Sequence, residues 1–563
     1  MHSSSSPDMV VKNRKLGFLI WQFISSTSIF IIFKFLLLSP LLPPSKTPII
    51  AAIFAFIVFN ISQLLFSASF AFLSSPHPVR AASPLQLLLA LLRPSSSSAT
   101  DFRSSAKLSL SFLLFLAAAA VSGFLAIGSV CCAYGVDGLQ MIGRVGFRGF
   151  AFGFLYGLLY ILKQRWILDF PIIQRPPFFS FKMGLPSAIT RALRLSGVYY
   201  LFSALLLVLL PDQIKSQLTM REFIYEEIVF YMGTFAVLLC WELNHHLHKV
   251  LLTKRCVFAP PKGSAAAETN PSELLLATLE ESPPASLLQY LAYLDLCMVC
   301  QNNVDTWRRA AFFEETGETY KRVVAVCLRP LLQLASKLAE SLECCSAGTY
   351  KQPNPLQQQQ DPQSDLKFCE SLNHFQDLDS GRMIDNDRMS SGLYLLQINA
   401  SRRQTHNALY AWCAQAAASV TAHSRKEDRL GVAQLSGSNA AIISTLLSCL
   451  LAVEAFMGKK TNLQPSHHFM GPAGIKWATL SGGRREIKTL KKRGGSQYSK
   501  AYAIADVLRT SVYCVVCAFH DEMMTSAKGG SLDKDWVINT KPLFGTHELL
   551  AQKLRLFLDF QAT

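Results

Sequence analysis

The sequence predicts an all-α protein: an N-terminal polytopic membrane bundle of about six helices, followed by a cytosolic all-α region with disordered linkers. Three observations lead there. Only 16% of the 563 residues are charged, where soluble chains hold about 25%. Half the chain is apolar and 38 residues are Phe. The charge is also uneven: residues 1–241 hold 19 Lys/Arg and 8 Asp/Glu, and residues 242–563 hold 35 and 30. This pattern excludes a fully soluble enzyme, a secreted disulfide scaffold and a disordered chain.

A hydrocarbon core about 30 Å thick takes roughly 17–25 apolar helical residues to cross. After a short cytosolic segment (1–15), the membrane domain at 16–243 offers six such runs. Leu16–Leu38, Ile49–Leu73 and Leu108–Tyr134 are ample, and Val145–Leu162 is just sufficient. Leu195–Leu210 is short, and Phe223–Trp241 opens with Glu226 and Glu227, so this pair reads as two spans or as a re-entrant hairpin. With even parity both termini share a side. Connections on that side carry 17 Lys/Arg against 4 on the other, and the positive-inside rule makes it cytosolic. Lys34, Arg148, Glu226 and Glu227 all fall near span ends, where long side chains snorkel. Asn60 and Gln63 lie near the middle of the second span, where helix–helix hydrogen bonds would satisfy them. Gly149, Gly153 and Gly157 repeat at the small-xxx-small spacing that brings helices close, most simply within the bundle.

Beyond the bundle come a linker (244–284), a first helical region (285–345), a low-complexity linker (346–392, with Gln357–Gln360), a second helical region (393–458), a basic linker (459–500) and a C-terminal helical region (501–563). Ala285–Cys300 is apolar nearly all round, the mark of a helix buried on every side. Cys297/Cys300 and Cys514/Cys517 have the spacing of a zinc or redox pair, but both lie inside apolar helical runs, where such thiols are small buried hydrophobes. His245, His246 and His248 have no neighbouring carboxylate or thiol cluster and read as a solvated interfacial face. No nucleophile elbow, HExxH or phosphate-cradling loop occurs. The reading is a non-enzyme without cofactor, metal or small-molecule substrate, and without specific nucleic acid.

The block Leu287-Leu-Gln-Tyr-Leu-Ala-Tyr-Leu-Asp-Leu296, followed by Trp307-Arg-Arg-Ala-Ala-Phe-Phe313, resembles the transmembrane nucleoporin family called nuclear division cycle protein one, in a plant-like form. The positions that carry the resemblance are Gln289, Leu291, Ala292, Asp295 and Leu296, then Arg308, Arg309, Phe312 and Phe313. It implies six spans, both ends on the pore side, and a helical half that binds soluble scaffold nucleoporins and anchors the nuclear pore complex in its membrane. The alternative is a polytopic transporter or channel with a helical regulatory tail; a lipid enzyme of the endoplasmic reticulum comes third. Two expectations rest on residues alone. Asp295, in an apolar helix, either pairs with Arg308 or Arg309 or is capped locally. The 459–500 segment has ten Lys/Arg against one acid and is either a solvated loop or an anionic-membrane contact through Arg484, Arg485, Lys491, Lys492 and Arg493, assisted by the amphipathic helix His547–Phe560.

Overall fold

The computed structural model describes residues 7–33, 49–75, 99–132, 139–209, 220–261, 263–284, 286–347, 407–461, 496–538 and 542–562. The 346–392 linker from residue 348 onward, residues 462–495 of the basic segment, and with them Arg484, Arg485, Lys491, Lys492 and Arg493, lie outside the described residues. The described chain is helical, with one isolated β-bridge, Ser75 to Ile167, and no strand. It divides into two units, Met1–Phe312 and Phe313–Thr563.

The N-terminal unit opens with α1 (Pro7–Ile32), α2 (Ile49–Leu73), α3 (Ala99–Cys132), α4 (Leu139–Leu162), α5 (Pro177–Leu209) and α6 (Met220–Thr253). Five of these, all but α5, hold segments long and apolar enough to cross a membrane. The chain is thus a multi-pass membrane protein. Its sixth apolar run extends past Trp241 as one helix to Thr253, so residues 244–253 are not linker. The pair α5 and α6 is not a short re-entrant turn. Each is 33 or 34 residues long, about 50 Å at 1.5 Å per residue. They run antiparallel: Tyr200 lies 5.6 Å from Tyr231, Arg191 is 3.8 Å from Glu242, and His246 Nε2 is 3.2 Å from the carbonyls of Ser180 and Phe181.

Small residues and aromatic rings pack this bundle. The Trp241 ring stacks on Phe66 at 4.2 Å and on Phe152 at 5.1 Å, joining α2, α4 and α6. Gly149, Gly153 and Gly157 face α3: a Cβ on Gly153 would sit 2.2 Å from the Ala119 carbonyl oxygen, and one on Gly149 would sit 2.6 Å from that of Gly123. The glycine stripe therefore serves internal packing. Gly153→Ala should push α3 and α4 apart and destabilise the unit by about 1–3 kcal/mol, read as a lower melting temperature in detergent. Gly128→Ala, with open space around its Cβ, is the control and should melt like the parent chain.

The same unit continues through α7 (Ala265–Thr269), α8 (Glu273–Glu281), α9 (Leu287–Gln301) and α10 (Thr306–Ala310). Ser264 and Ser286 cap α7 and α9, each accepting a backbone N–H three residues on, which satisfies a donor that a helix start leaves open. Residues 286–312 thus belong to the same unit as the bundle.

The C-terminal unit contains α11 (Glu318–Ala347), α12 (Asn407–Glu427), α13 (Val432–Leu435), α14 (Ser438–Thr461), α15 (Ser496–Ala518), α16 (His520–Lys528), α17 (Leu532–Trp536) and α18 (His547–Ala562). Two of its helices are also long and apolar enough to cross a membrane, at Ser438–Met457 and Ala501–Ala518, where the sequence reading placed none. The surroundings of α14 explain its apolarity differently. In α14, Ile442, Ile443, Leu446, Leu447, Cys449 and Leu450 are fully buried within the unit. Ser448 bonds both the N–H and the carbonyl of Phe544. α15 sends Arg509 to Glu454 of α14 and to its own Asp506. A helix enclosed as α14 is needs an apolar surface all round, whereas α15 leaves Tyr502 and Tyr513 exposed. The terminal helix α18 buries Leu550, Leu554 and Leu558 and exposes Leu549, Leu556 and Phe560.

Candidate functional site

Two residues of the Gln289–Phe313 block, Asp295 and Arg308, meet at one buried carboxylate. Asp295 projects from the middle of α9 and is fully buried. Its Oδ2 accepts from Arg308 Nη2 at 2.8 Å and from the backbone N–H of Phe258 at 2.9 Å, and its Oδ1 accepts from Arg255 Nε at 2.8 Å. Arg255 also reaches Asp305 at 2.5 Å. Burial pulls the Arg255 guanidinium down, but Asp295 and Asp305 outweigh it and hold it above its ordinary value. Arg308 donates to the Phe258 carbonyl at 2.9 Å, while its Nε and Nη1 are buried with no partner among the described residues. Three charge-assisted bonds on one carboxylate are what make its burial tolerable.

This hub joins the extra-bundle helices to the last membrane helix. The strap Lys254–Phe258 leaves α6 and is gripped from both sides. On one side Arg255 and Phe258 bond Asp295. On the other, Arg14 of α1 donates to the carbonyls of Leu251, Leu252 and Lys254 at 3.4, 3.0 and 2.5 Å, covering acceptors that the end of a helix leaves open. Tyr290 of α9 stacks on Phe170, between α4 and α5, at 5.0 Å.

The other positions of the block are mostly interior. Leu291, Ala292, Leu296 and Phe312 are fully buried, Arg309 and Phe313 nearly so, and Gln289 is half-buried. Arg309 does not reach Asp295; its Nη1 donates to the carbonyls of Cys300 and Asn302 at 3.1 and 3.4 Å. Of the two arginines beside Asp295 in sequence, Arg308 is the one that pairs. The block's side chains up to Phe312 pack the interior of the N-terminal unit, Phe313 begins the C-terminal unit, and all of them offer little surface to a partner. Cys297 and Cys300 lie buried in α9, and burial pushes the Cys297 thiol up.

Two further ion pairs lie in the bundle, and here the sequence reading needs correction. Arg148 does not snorkel. It is fully buried and makes a two-pronged contact with Glu227 at 2.7 and 2.9 Å, bonds Ser203 Oγ at 3.1 and 2.9 Å, and lies 3.7 Å from the Phe230 ring centre. It thereby ties α4 to α5 and α6. At the other end of α6, Glu242 accepts both arms of Arg165 at 2.7 Å and the Tyr156 hydroxyl at 3.1 Å. Ending the last span at Trp241 had hidden Glu242, which lies inside the apolar stretch Glu227–Thr253.

The histidines are not a solvated face either. His248 is fully buried against Phe18 and Phe70, His245 meets the Tyr160 hydroxyl at 3.1 Å, and His246 turns to α5. Asn60 bonds Ser26 and Thr27 of α1 at 3.0 and 3.2 Å. Gln63 differs: both carboxamide atoms are buried with no partner among the described residues. Among the described residues no group of three or more His, Cys, Asp or Glu could hold a metal ion. No protein-family model matches the chain, and no curated protein matches it.

Proposed function

We propose that the chain is an integral membrane scaffold nucleoporin. It anchors the nuclear pore complex in the pore membrane, with both termini on the cytosolic side, and binds soluble scaffold nucleoporins through the chain beyond the bundle. The observation that carries this reading is the Asp295 hub. The two sequence blocks of the family resemblance meet there, and they clamp the extra-bundle helices to the end of α6 through Arg255. A scaffold needs such a joint, because load passed between a bilayer and a protein coat would otherwise fall on a flexible strap.

A polytopic transporter or channel is the second reading, favoured by the ionised groups inside the bundle. Such groups mark transport pathways when they are free to change partners. Here Glu227 and Glu242 are each already engaged by both arms of an arginine, the arrangement of a structural clasp. The experiment is localisation of the full chain, tagged and expressed at its native level. A punctate nuclear rim is the expected result; a uniform reticulum or a plasma-membrane outline would reject the scaffold reading.

A further inference from the structure

We infer that α5 carries a binding site for an anionic phospholipid headgroup, formed by Arg191 and Arg194 with Lys182 toward the helix start. The inference rests on the multi-pass architecture alone and stands apart from the pore reading. α5 has no acidic residue along its whole length. It buries Ala188, Ala192, Ser196, Tyr199 and Ser203 against the bundle. Its outer surface is a long apolar face, with Phe178, Phe179, Met183, Leu193, Val198 and Leu201 each more than half exposed. In a multi-pass protein that face meets acyl chains.

Set into it are three exposed cations, Lys182, Arg191 and Arg194. Lys182 and Arg194 make no ion pair among the described residues. Arg191 stands 3.8 Å from Glu242, whose two oxygens already take Arg165 at 2.7 Å and Tyr156 at 3.1 Å. Lys182 and Arg194 are thus spare positive charges, and Arg191 is held only by a long contact to a carboxylate already shared.

Their depth selects the ligand. The described part of α5 ends at Leu209, and residues 195–209 carry no charge. At 1.5 Å per residue, Arg194 and Arg191 lie about 22 and 27 Å from Leu209 along the helix. That places them in the far third of a core about 30 Å thick, below the headgroups of the leaflet on the side of His246 and Ser180. A lipid-facing guanidinium at that depth is costly unless it reaches up to a counter-charge. The headgroup of an anionic lipid in that leaflet, whose net charge no choline cation cancels, is the counter-charge within reach, and two arginines three residues apart on one helix face can take its oxygens together.

The test uses the purified full chain in detergent, with bound lipid read by native mass spectrometry against added phosphatidylserine or phosphatidylcholine. The chain should retain phosphatidylserine in preference. The double variant Arg191→Gln/Arg194→Gln should lose that retention by about tenfold or more, with phosphatidylcholine binding unchanged. Lys163→Gln, an exposed cation at the end of α4, should change nothing. If the double variant melts early, Arg194→Gln alone carries the test, because Arg194 has no bond to lose among the described residues. Equal binding of the two lipids, full retention in the variants, or the same loss in Lys163→Gln would overturn the site. Millimolar inorganic phosphate should leave phosphatidylserine bound; displacement would make the ligand a soluble phosphate and overturn the lipid assignment.

Discussion

Asp295→Ala is expected to destabilise the N-terminal unit by about 3–5 kcal/mol, the range for removing one partner of a buried ion pair. The substitution deletes the acceptor of Arg308, Arg255 and the Phe258 N–H together. Arg255 is partly exposed and has Asp305 in reserve. Arg308 has neither: it is fully buried, two of its donors are already unpaired, and it would keep only the Phe258 carbonyl. Arg255→Ala should therefore be milder, because Asp295 would still be held by Arg308. Because the strap Lys254–Phe258 is held by this hub, limited proteolysis of Asp295→Ala should cut early within it while α1–α6 remain intact. Thermal unfolding of the full chain in detergent measures the first effect. A variant that melts with the parent and shows the same cleavage pattern would remove the hub as the joint between bundle and extra-bundle helices.

Much of this joint was legible in the sequence because its parts are close along the chain. Asp295 stands alone in an apolar helix and needs a partner, and Arg308 follows within one helix and a turn. What stayed hidden is what the fold brings from afar. Arg255 sits beyond a different helix, and nothing local distinguishes it from the other basic residues that flank the spans. Arg14 was legible only as one of those charges, yet it covers the open carbonyls at the end of α6. The spans α1–α4 were readable from length and apolarity, which are local properties. The sixth was cut short at Trp241 because Glu242 and the three histidines look like a solvated exit. They are tolerated because Arg165, Tyr160, Ser74 and the carbonyls of α5 supply partners. The same blindness to partners made Arg148 look like a snorkelling side chain. The apolar length of α14 and α15 was legible in composition yet passed over, and composition cannot distinguish an enclosed helix from a span.

Glu227→Ala should be the most damaging single change inside the bundle, again by about 3–5 kcal/mol. An arginine keeps its charge, and Arg148 is fully buried, so without Glu227 it retains only the Ser203 hydroxyl and the face of Phe230. Arg148→Met should cost less. The carboxylate it leaves behind is slightly exposed, and a carboxyl group can take up a proton rather than remain as an unpaired ion. The double variant Arg148→Met/Glu227→Leu removes both charges and keeps similar volumes, and replacements of this kind are often neutral or stabilising. The expected order of melting temperatures in detergent is thus parent and double variant together, then Arg148→Met, then Glu227→Ala. A double variant that melts below Glu227→Ala would show that the pair contributes more than mutual neutralisation. The same double variant also separates the two functional readings. A scaffold requires only that α4, α5 and α6 stay packed, so a stable double variant should still reach the nuclear rim. A transport pathway that used these charges would be abolished in a protein that remains folded.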